Sequence, residues 1–422
     1  MNSAEAQGPR AIAVVGAGIV GAATALALAA DGHTVTVIDR GDVGAGTSFG
    51  NAGGIVGGAV TPTATPGLIR SLPSYLLDPH GAAVLRPAYA LQAIPWLTRF
   101  IAAGRPARVA GIAAALHPLV SNAVQAHHSL ASMSNALGLI QPVGWLKAYS
   151  SPAAFSKTAL ERELMTRHGV NFQVLNASEV ADLEPGLHQD AYSCGLFQPD
   201  SGFVNYPMRL AQTYFEGAHA RGARYLQQNV QEISPLNDGG VSVRTEQATH
   251  RFDSVVIATG AWSKQFATQL GDPVSLDTER GYHISLGMTG GPLLKRPVGF
   301  PEKDCVLSPM HDGITVVSGD ELAGLTAPPN FRRIRGLLPF VNQVLPGTRS
   351  QTVQREWMGH RPSTPDSMPV IGRSPRCNQV FYAFGHGHLG LTLSAITAQL
   401  IAGLASHRAA PFDLTPYRIN RF

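Results

Sequence analysis

The pattern of apolar and glycine-rich stretches near the start of the chain predicts a strand, a tight turn, a helix and a second strand. An apolar, strand-like run covers residues 11–15, and an alanine-rich helix follows that should end at Gly32. The second strand covers residues 33–38 and leads into Asp39. This order of elements is that of a βαβ nucleotide-binding unit.

The glycines between the first strand and the helix follow GxGxxG spacing. In such a unit Gly16 allows the turn, Gly18 lets the backbone approach a pyrophosphate, and Gly21 lets the helix pack close to the sheet. The helix N-terminus offers free N–H groups to the phosphates. Asp39, 18 residues beyond Gly21, is placed to accept both hydroxyls of an adenosine ribose. FAD and NAD share this ADP half, so the motif leaves both open.

The same segment resembles a membrane span or a secretory signal. Residues 11–30 carry no charge and Arg10 precedes them, which is typical of both. A membrane span, however, needs neither a following strand nor an acidic residue at this offset, whereas a nucleotide-binding unit needs both. The pattern therefore favours nucleotide binding.

The rest of the chain does not continue as repeated βα units. A glycine-rich stretch covers residues 41–60, and a helix, a strand and the buried strand FDSVVIATGAW at 252–262 come much later. The glycine-rich loop GHGHLG then opens a C-terminal helix, whose N-terminus is a second site for an electron-rich group. Between these parts, residues 75–135 have a helical pattern, while 141–205 and 270–355 contain short strands and turns. The nucleotide-binding fold is therefore expected to resume after insertions.

Composition narrows the functional classes. The 422 residues are 44% hydrophobic and 14% charged, which suits two domains or one large composite domain. The 32 basic and 28 acidic residues are scattered, so no nucleic acid partner is implied. Cys194, Cys305 and Cys377 lie far apart without CxxC spacing, which excludes an iron–sulfur cluster and a disulfide framework. A reducing, cytoplasmic setting is expected.

Five motifs together resemble a known family. GAGIVG with Asp39, TSFGNAGG, VVIATGAWS, GHRPSTPDSMPVIG and GHGHLGLT, in this order, are similar to the FAD-dependent D-amino-acid dehydrogenase family of the D-amino-acid oxidase and glycine oxidase group. LLDPHG, PWLTRFIAAGRPARV, LDTERGYHI, LAGLTAPPN and the terminal NRF resemble the branch with glyphosate oxidoreductase and hydroxyproline dehydrogenase-like proteins. The resemblance covers nearly the whole chain, and substrate identity does not follow from it.

The resemblance implies an α/β fold, in which a discontinuous Rossmann-like FAD-binding domain carries an inserted α+β substrate domain with a mixed sheet. The FAD-binding domain would comprise residues 1–74, 206–265 and 356–422. The substrate-binding domain would comprise residues 75–205 and 266–355.

The resemblance also implies cofactor contacts, carried over residue by residue. The pyrophosphate would be held by Gly16, Ala17, Gly18, Ile19, Val20 and Gly21, and the adenosine by Asp39, Arg40 and the Val230 backbone. The ribityl and isoalloxazine side would face Thr47, Ser48, Asn51, Ala52 and Gly53, with Thr259, Gly260 and Trp262 along the cofactor. The loop His386, Gly387, His388, Leu389, Gly390, Leu391 and Thr392 would reach the flavin N1 and C2 carbonyl. Helix N–H groups stabilise negative charge there.

The FAD is expected to be non-covalent. Relatives of the sarcosine-oxidase type link the flavin through a cysteine near the GHRP region, and no cysteine occurs between Cys305 and Cys377. A metal site is not expected either, because metal ligands usually come in sets of three or four and the HxH pair of the C-terminal loop lacks such partners.

The first choice for a substrate contact is Arg361. A guanidinium pairs with a carboxylate in a bidentate manner, and Arg361 matches the motif arginine that binds the substrate carboxylate in glycine-oxidase relatives. The alternative is a structural or flavin-facing ion pair. Tyr282, with Arg280 and His283, is the second choice for the pocket wall, although at least one of the three is expected to be ordinary packing. Strand alternation puts Arg280 and Tyr282 on one side and His283 on the other. The remaining catalytic candidate is His386.

The implied reaction is oxidation of an amino-acid Cα–N bond by hydride transfer to flavin N5, most simply on a D-amino acid or a D-proline derivative. The imine would hydrolyse to a 2-oxo acid and ammonia. The electron acceptor would be a quinone, a redox partner or oxygen. Three alternatives stay open: an oxygen-using oxidase of glycine-like secondary amines, an NAD-linked dehydrogenase and a non-catalytic FAD-binding module.

One stretch leaves peripheral contact with the inner face of a membrane open. Residues 88–109 combine Trp96, Phe100 and Ile101 with three arginines, a composition that could rest on a membrane and pass electrons to quinone. Pro95 interrupts the stretch, however, and an apolar helix face is more often part of the core. The core interpretation is therefore favoured.

Overall fold

Two large β-sheets organise the chain. The computed structural model describes residues 8–67, 83–287 and 293–422. The strands are β1 (Ala11–Val15), β2 (Thr34–Asp39), β3 (Gly54–Ile55), β4 (Ala83–Leu85), β5 (Trp145–Tyr149), β6 (Gln173–Asn176), β7 (Cys194–Gln198), β8 (Gly202–Phe203), β9 (Arg224–Gln227), β10 (Val230–Pro235), β11 (Val241–Thr245), β12 (Thr249–Phe252), β13 (Ser254–Ile257), β14 (Asp277–Leu286), β15 (Val298–Phe300), β16 (Cys305–Met310), β17 (Gly313–Leu322), β18 (Val353–Ser363), β19 (Val370–Arg373) and β20 (Val380–Phe384).

Helices cover both sheets. They are α1 (Ile19–Ala30), α2 (Ala90–Ala103), α3 (Pro106–Ser121), α4 (Ala123–Met133), α5 (Pro152–Ser156), α6 (Ala159–Arg167), α7 (Ala177–Leu183), α8 (Pro207–His219), α9 (Ser263–Gln269), α10 (Arg332–Arg335), α11 (Leu338–Val344) and α12 (Gly390–Ala405).

The smaller of the two sheets confirms the predicted nucleotide-binding fold. Its six strands run in the order β19-β20-β13-β1-β2-β9, and every neighbouring pair except the antiparallel β19–β20 is parallel. Apart from β1 and β2, the parallel neighbours come from distant parts of the chain, as the predicted insertions require. In such sheets ligands bind beyond the carboxyl ends of the strands. A ligand-binding site is therefore expected at the loops that follow β1, β2 and β13.

Helix α1 explains why residues 11–30 resemble a membrane span. It is apolar all round because it is packed on several sides, against the sheet and against α8 and α12. Two helical stretches, 106–133 and 387–405, have the length and apolarity of a membrane span, and most of the second is buried inside the protein. A buried core helix accounts for such a composition.

The larger sheet is mixed, as predicted for the inserted part. Its order is β18-β14-β17-β16-β15-β5-β7-β6, with β4 beside β17, and its pairs are antiparallel except β15–β5 and β17–β4. Residue 356, where the last FAD-binding segment was predicted to begin, lies inside β18 and hence in this sheet. Strands β14 and β18 pair along most of their length, and β18 also contacts the turns that follow β13 and β20.

Helix α2 corresponds to the stretch weighed as a membrane contact. Trp96 and Phe100 are buried and stacked with ring centroids 5.0 Å apart, and the Trp96 indole N–H donates to the Ser363 carbonyl at 2.9 Å. These two side chains are therefore core residues, as favoured. Leu91 and Ile101 lie on the solvent side and are 82% and 43% exposed. Membrane contact through that side stays a prediction.

Candidate active site

A cavity of about 850 Å³ lies between the carboxyl ends of the six-stranded sheet and one face of the nine-stranded sheet. Nearly all the predicted cofactor residues line it. They belong to the glycine loop (residues 16–21), the 41–60 stretch and the C-terminal loop (residues 386–392), among others. Gly21 and Gly53 do not line it, since each is pressed against backbone instead.

The glycine loop is shaped by two different demands. A Cβ at Gly16, whose φ is +106°, would lie 2.4 Å from the Ala258 carbonyl oxygen, and one at Gly21 would lie 1.8 Å from the Gly16 oxygen. Gly16 and Gly21 are therefore required by the packing of strand, turn and helix. Gly18 differs, because a Cβ there would meet only the Ser48 hydroxyl at 3.4 Å within the protein. The space beside Gly18 opens into the cavity, where a pyrophosphate would lie against the helix N-terminus.

Asp39 closes the turn as well as facing the cavity. Its Oδ2 accepts the Ala17 N–H at 2.7 Å and its Oδ1 accepts the Gly41 N–H at 2.9 Å. Arg40 lies over the Trp262 ring at 4.5 Å. The carboxylate thus links the glycine loop to the end of β2, a role that the sequence motif did not indicate.

The 41–60 stretch is held to α1 and to the larger sheet. The Ser48 hydroxyl accepts the Ile19 N–H at 2.9 Å, and the Thr47 hydroxyl donates to the His360 carbonyl at 2.9 Å. Asn51 Oδ1 accepts the Gly53 N–H at 2.7 Å. These bonds fix a stretch that has little regular structure, so its backbone can follow the surface of a bulky ligand.

The C-terminal loop reaches the cavity in front of α12. The Thr392 hydroxyl donates to the Gly54 carbonyl and accepts the Val56 N–H, both at 3.1 Å, which joins this loop to the 41–60 stretch. The fully buried His127 lies 2.8 Å from both the Leu391 carbonyl and the Tyr214 hydroxyl. Burial lowers the pKa of His127 to about 4, so it is neutral. Sequence reasoning missed this histidine, which fixes the first turn of α12.

His386 and His388 have different surroundings although only Gly387 separates them. His386 Nε2 lies 3.0 Å from the Thr397 hydroxyl inside the protein, and burial lowers its pKa to about 3. Its imidazole is therefore neutral, and because His386 also lines the cavity, its catalytic role stays a prediction. His388 Nε2 lies 3.1 Å from Asp320 Oδ1 on the cavity wall. Burial lowers the pKa of His388, but the Asp320 carboxylate outweighs it and the net shift is upward.

Arg361 lies on the cavity wall and is ion-paired. Its Nη1 lies 2.5 Å from Asp320 Oδ1 and donates to the Gly319 carbonyl at 2.7 Å. The side chain crosses Gly281, where a Cβ would lie 2.4 Å from Nη2. Burial raises the pKa of Asp320, but His388 and Arg361 outweigh it and hold that pKa well below its usual range. Both interpretations of Arg361, cavity-facing cation and ion-pair partner, thus describe the same side chain.

The second-choice residues lie outside the cavity. The buried Arg280 donates through Nε and Nη2 to the Gly324 carbonyl at 2.8 and 2.6 Å, and the Tyr282 hydroxyl donates to Glu321 Oε2 at 2.5 Å. His283 stacks on Trp357 with centroids 5.1 Å apart, and burial lowers its pKa to about 4. Arg280 and Tyr282 do share a side opposite to His283, as the alternation predicted. Because none of the three lines the cavity, their place in the pocket wall has no support in the geometry.

Several cavity residues were not anticipated. Trp357 lines the cavity, and its ring fits only because residues 50 and 359 are glycines, where a Cβ would lie 2.0 Å from ring carbons. Asp304 and Asp320 lie on the part of the wall formed by the larger sheet. Asp320 interrupts the apolar run ITVVSG, a signal that could have found it, whereas Asp304 lies in a turn with no such pattern.

One group of side chains has the composition of a metal site. Possible ligand atoms of Glu279, Asp320 and His388 all lie within 4.8 Å of one another. The Arg361 guanidinium, however, is already 2.5 Å from Asp320 and balances its charge. Asp320 and His388 therefore belong to an ion-pair cluster with Arg361, while Glu279 accepts a hydrogen bond from the Ser363 hydroxyl, and we assign no metal to the group.

The residues fit FAD. The N-termini of α1 and α12 both face the cavity, and the space beside Gly18 is open. A dinucleotide with a flavin ring requires such sites for its phosphates and for the electron-rich part of the ring. Cys305 also lines the cavity, but burial raises the pKa of its thiol to about 12, so it is not a ready nucleophile.

Removal of the Asp39 carboxylate should weaken FAD retention. In Asp39→Ala the Ala17 and Gly41 N–H groups lose their acceptor, so the glycine loop is no longer held in the shape that receives the pyrophosphate. FAD released by acid precipitation, measured per chain, should be close to one in the wild type and clearly lower in the variant. Asp190→Ala is the control, because the Asp190 carboxylate is 90% exposed and lies outside the cavity lining. Equal FAD content in the wild type and Asp39→Ala would contradict the role of Asp39.

Comparisons with known proteins agree with this geometry. The chain is 34% identical over 424 residues to the D-amino-acid oxidase of Bradyrhizobium diazoefficiens, covering 98% of this chain and 99% of that protein. It is 28% identical over 428 residues to the D-amino acid dehydrogenase of Agrobacterium fabrum, covering 97% and 99%.

Solved structures share the fold. Glycine oxidase from Geobacillus kaustophilus superposes with a TM-score of 0.77 at 22% identity, covering 99% of this chain and all of that one. L-Proline dehydrogenase from P. horikoshii superposes with a TM-score of 0.75 at 19% identity and covers 98% of both chains. The model of the DAO family, described as FAD dependent oxidoreductase, matches residues 11–404. The chain therefore belongs to the DAO family and is an FAD-dependent oxidoreductase.

Proposed function

We propose that the protein oxidises the Cα–N bond of an amino acid, with a D-amino acid or a D-proline derivative as substrate. FAD would supply the chemistry by accepting a hydride at N5. The resulting imine would leave and hydrolyse to a 2-oxo acid and ammonia, or remain cyclic for a proline derivative. The observation that carries the proposal is the Arg361 guanidinium on the wall of the cavity that fits FAD.

Arg361 is suited to bind the substrate carboxylate. Its Nη1 is held by Asp320 and the Gly319 carbonyl, which leaves Nε and Nη2 without a hydrogen bond to any described residue. The guanidinium is therefore fixed in orientation while part of its donor fork stays available. Holding the amino acid in one orientation between Arg361 and the flavin ring would account for much of the rate enhancement, because hydride transfer needs few catalytic groups.

The relatives support a D-amino acid substrate but leave the electron acceptor open. The Bradyrhizobium relative is named an oxidase and the Agrobacterium relative a dehydrogenase. An oxygen-using oxidase of glycine-like secondary amines is the second candidate, because the glycine oxidase structure shares this fold. We favour a quinone or another redox partner as acceptor, since the sequence motifs resemble the dehydrogenase branch.

An artificial dye should support much faster turnover than oxygen with D-amino acids, above all D-proline or hydroxy-D-proline. Initial rates with a phenazine dye and in air-saturated buffer would be compared over a panel of D-amino acids, their L-enantiomers and N-substituted glycines. Hydrogen peroxide as the main product would identify the oxidase instead. Reduction of the flavin by none of these amines under anaerobic conditions would refute amino-acid oxidation.

A further inference from the structure

Asp304 is an unusual carboxyl group on the cavity wall. It lies between a single 3-10 turn at Pro301–Lys303 and β16, with a left-handed φ of 45°. Left-handed backbone is uncommon outside glycine, and the residue held in it here lines the cavity. Asp304 Oδ2 is buried and accepts no hydrogen bond from any described residue. A buried carboxylate oxygen without a donor is costly unless a ligand supplies one.

The cavity holds an ion-pair cluster in which the other acid is already paired. Asp320 contacts both Arg361 and His388, at 2.5 and 3.1 Å. Asp304 forms no such close ion pair with any residue that the structure describes, so its carboxyl group can meet a cation inside the cavity. An amino acid brings an ammonium group together with the carboxylate that Arg361 is proposed to bind.

We propose that Asp304 accepts the proton of the substrate ammonium group before oxidation, and this inference rests on the proposed function. In the proton transfer, an N–H bond of the ammonium breaks and an O–H bond forms on Asp304, which leaves a neutral amine and a neutral carboxylic acid. No electrons change hands in that step. The Cα–H bond then breaks with its electron pair passing to FAD, and the nitrogen lone pair forms the C=N bond of the protonated imine.

The surroundings of Asp304 suit a proton acceptor at neutral pH. Burial and the neighbouring Asp320 carboxylate raise the pKa of Asp304 to about 7, against the opposing effect of the cations around the cavity. The groups that face it are Asp320 on β17, Arg361 on β18, His388 on the C-terminal loop and Arg333 on α10, with Cys305 next to it in the chain. A base works best when its pKa is close to the working pH. The ionised form is the acceptor, so the rate should rise as the pH increases through about 7.

The test uses the holoenzyme and Asp304→Asn. Asparagine has the same shape and also tolerates left-handed backbone, so the turn should be preserved. Anaerobic flavin reduction by a D-amino acid is followed against pH. At pH 7 the variant should be slower by roughly 100-fold or more, which is the usual contribution of a general base. The increase of the rate around neutral pH should disappear in the variant. The rate should recover at high pH, where the solvent deprotonates the ammonium group.

Binding gives a second readout that needs no turnover. The probe is 2-aminoisobutyrate, which carries ammonium and carboxylate groups but no Cα–H bond, and its binding is followed by the flavin absorbance. Its affinity for the wild type should increase as the pH rises through about 7, and Asp304→Asn should lose this trend. Isobutyrate, which has no ammonium, should bind the variant at least as well as the wild type. Glu302→Gln is the matched control, since its carboxylate bonds to Ser150 and lies outside the cavity lining.

The outcomes separate the two proposals. Flavin reduction by D-amino acids with the same pH profile in the wild type and Asp304→Asn would overturn the role of Asp304 and leave the proposed function standing. A loss of rate in the variant that high pH does not recover would also overturn it, because a merely structural residue behaves in that way. Wild-type binding of 2-aminoisobutyrate that depends on Asp304, without flavin reduction by any amino acid, would support the ammonium contact and refute the proposed reaction.

Discussion

Arg361→Ala is expected to lower kcat/KM for the amino-acid substrate by roughly two to four orders of magnitude, because a charge-assisted pair in a closed site loses several kcal/mol when one partner is removed. The flavin spectrum should stay normal, since Arg361 contacts Asp320 and the Gly319 carbonyl rather than the glycine loop. Arg361→Lys should recover only part of the loss, because an ammonium keeps the charge but not the planar fork. Steady-state kinetics over a range of substrate concentrations, with FAD content measured in parallel, checks these results.

Two controls separate substrate binding from the ion pair with Asp320. The first control is Arg355→Ala. Arg355 lies on the same strand, β18, is half-exposed and pairs with Asp312, so its removal should change kcat/KM little. Amines that lack the carboxylate should be poor substrates of the wild type and lose little further in Arg361→Ala. If Arg361→Ala loses FAD, or keeps nearly normal kcat/KM for the amino acid, the carboxylate clamp is wrong.

Gly18→Ala and Gly21→Ala should fail in different ways although both lie in one motif. At Gly18 a Cβ meets little of the protein, so the variant should fold normally. The methyl group would occupy space for the pyrophosphate and weaken FAD binding by roughly 10- to 100-fold, which corresponds to the usual overpacking cost of 1–3 kcal/mol. At Gly21 the Cβ would lie 1.8 Å from the Gly16 oxygen. That variant should therefore lower the melting temperature of the apoprotein as well.

FAD titration of the apoprotein and thermal melting of the apoprotein measure the two effects separately. Gly403→Ala on α12 is the control, because a Cβ there meets nothing within 4 Å, and it should leave both quantities unchanged or raise the melting temperature slightly. Unchanged FAD affinity in Gly18→Ala would show that the space beside Gly18 is not a cofactor site. A normal melting temperature in Gly21→Ala would contradict the packing of α1 against the turn.

Much of the nucleotide-binding half could be read from the sequence because its signals are local. The turn at Gly16, the close packing at Gly21 and the carboxylate of Asp39 each occupy a fixed offset within one βαβ unit. The substrate side has no such spacing. In sequence, Arg280 and Tyr282 are the second choice after Arg361. Only the pairing of β14 with β17 and β18 shows that their polar groups turn toward Gly324 and Glu321.

The sequence by itself determined the α/β nucleotide-binding unit, since hydrophobic periodicity and glycine spacing are properties of the chain, whereas FAD and the proposed role of Arg361 follow from motifs that resemble a family. Tertiary structure alone decided which charges meet. Asp304, Asp320, Arg361 and His388 come from separate elements and all line the cavity, where Asp320 meets Arg361 and His388. Charge and protonation depend on distance and burial, which no local pattern encodes. The ionisation of Asp304 near neutral pH is therefore a property of the folded cavity.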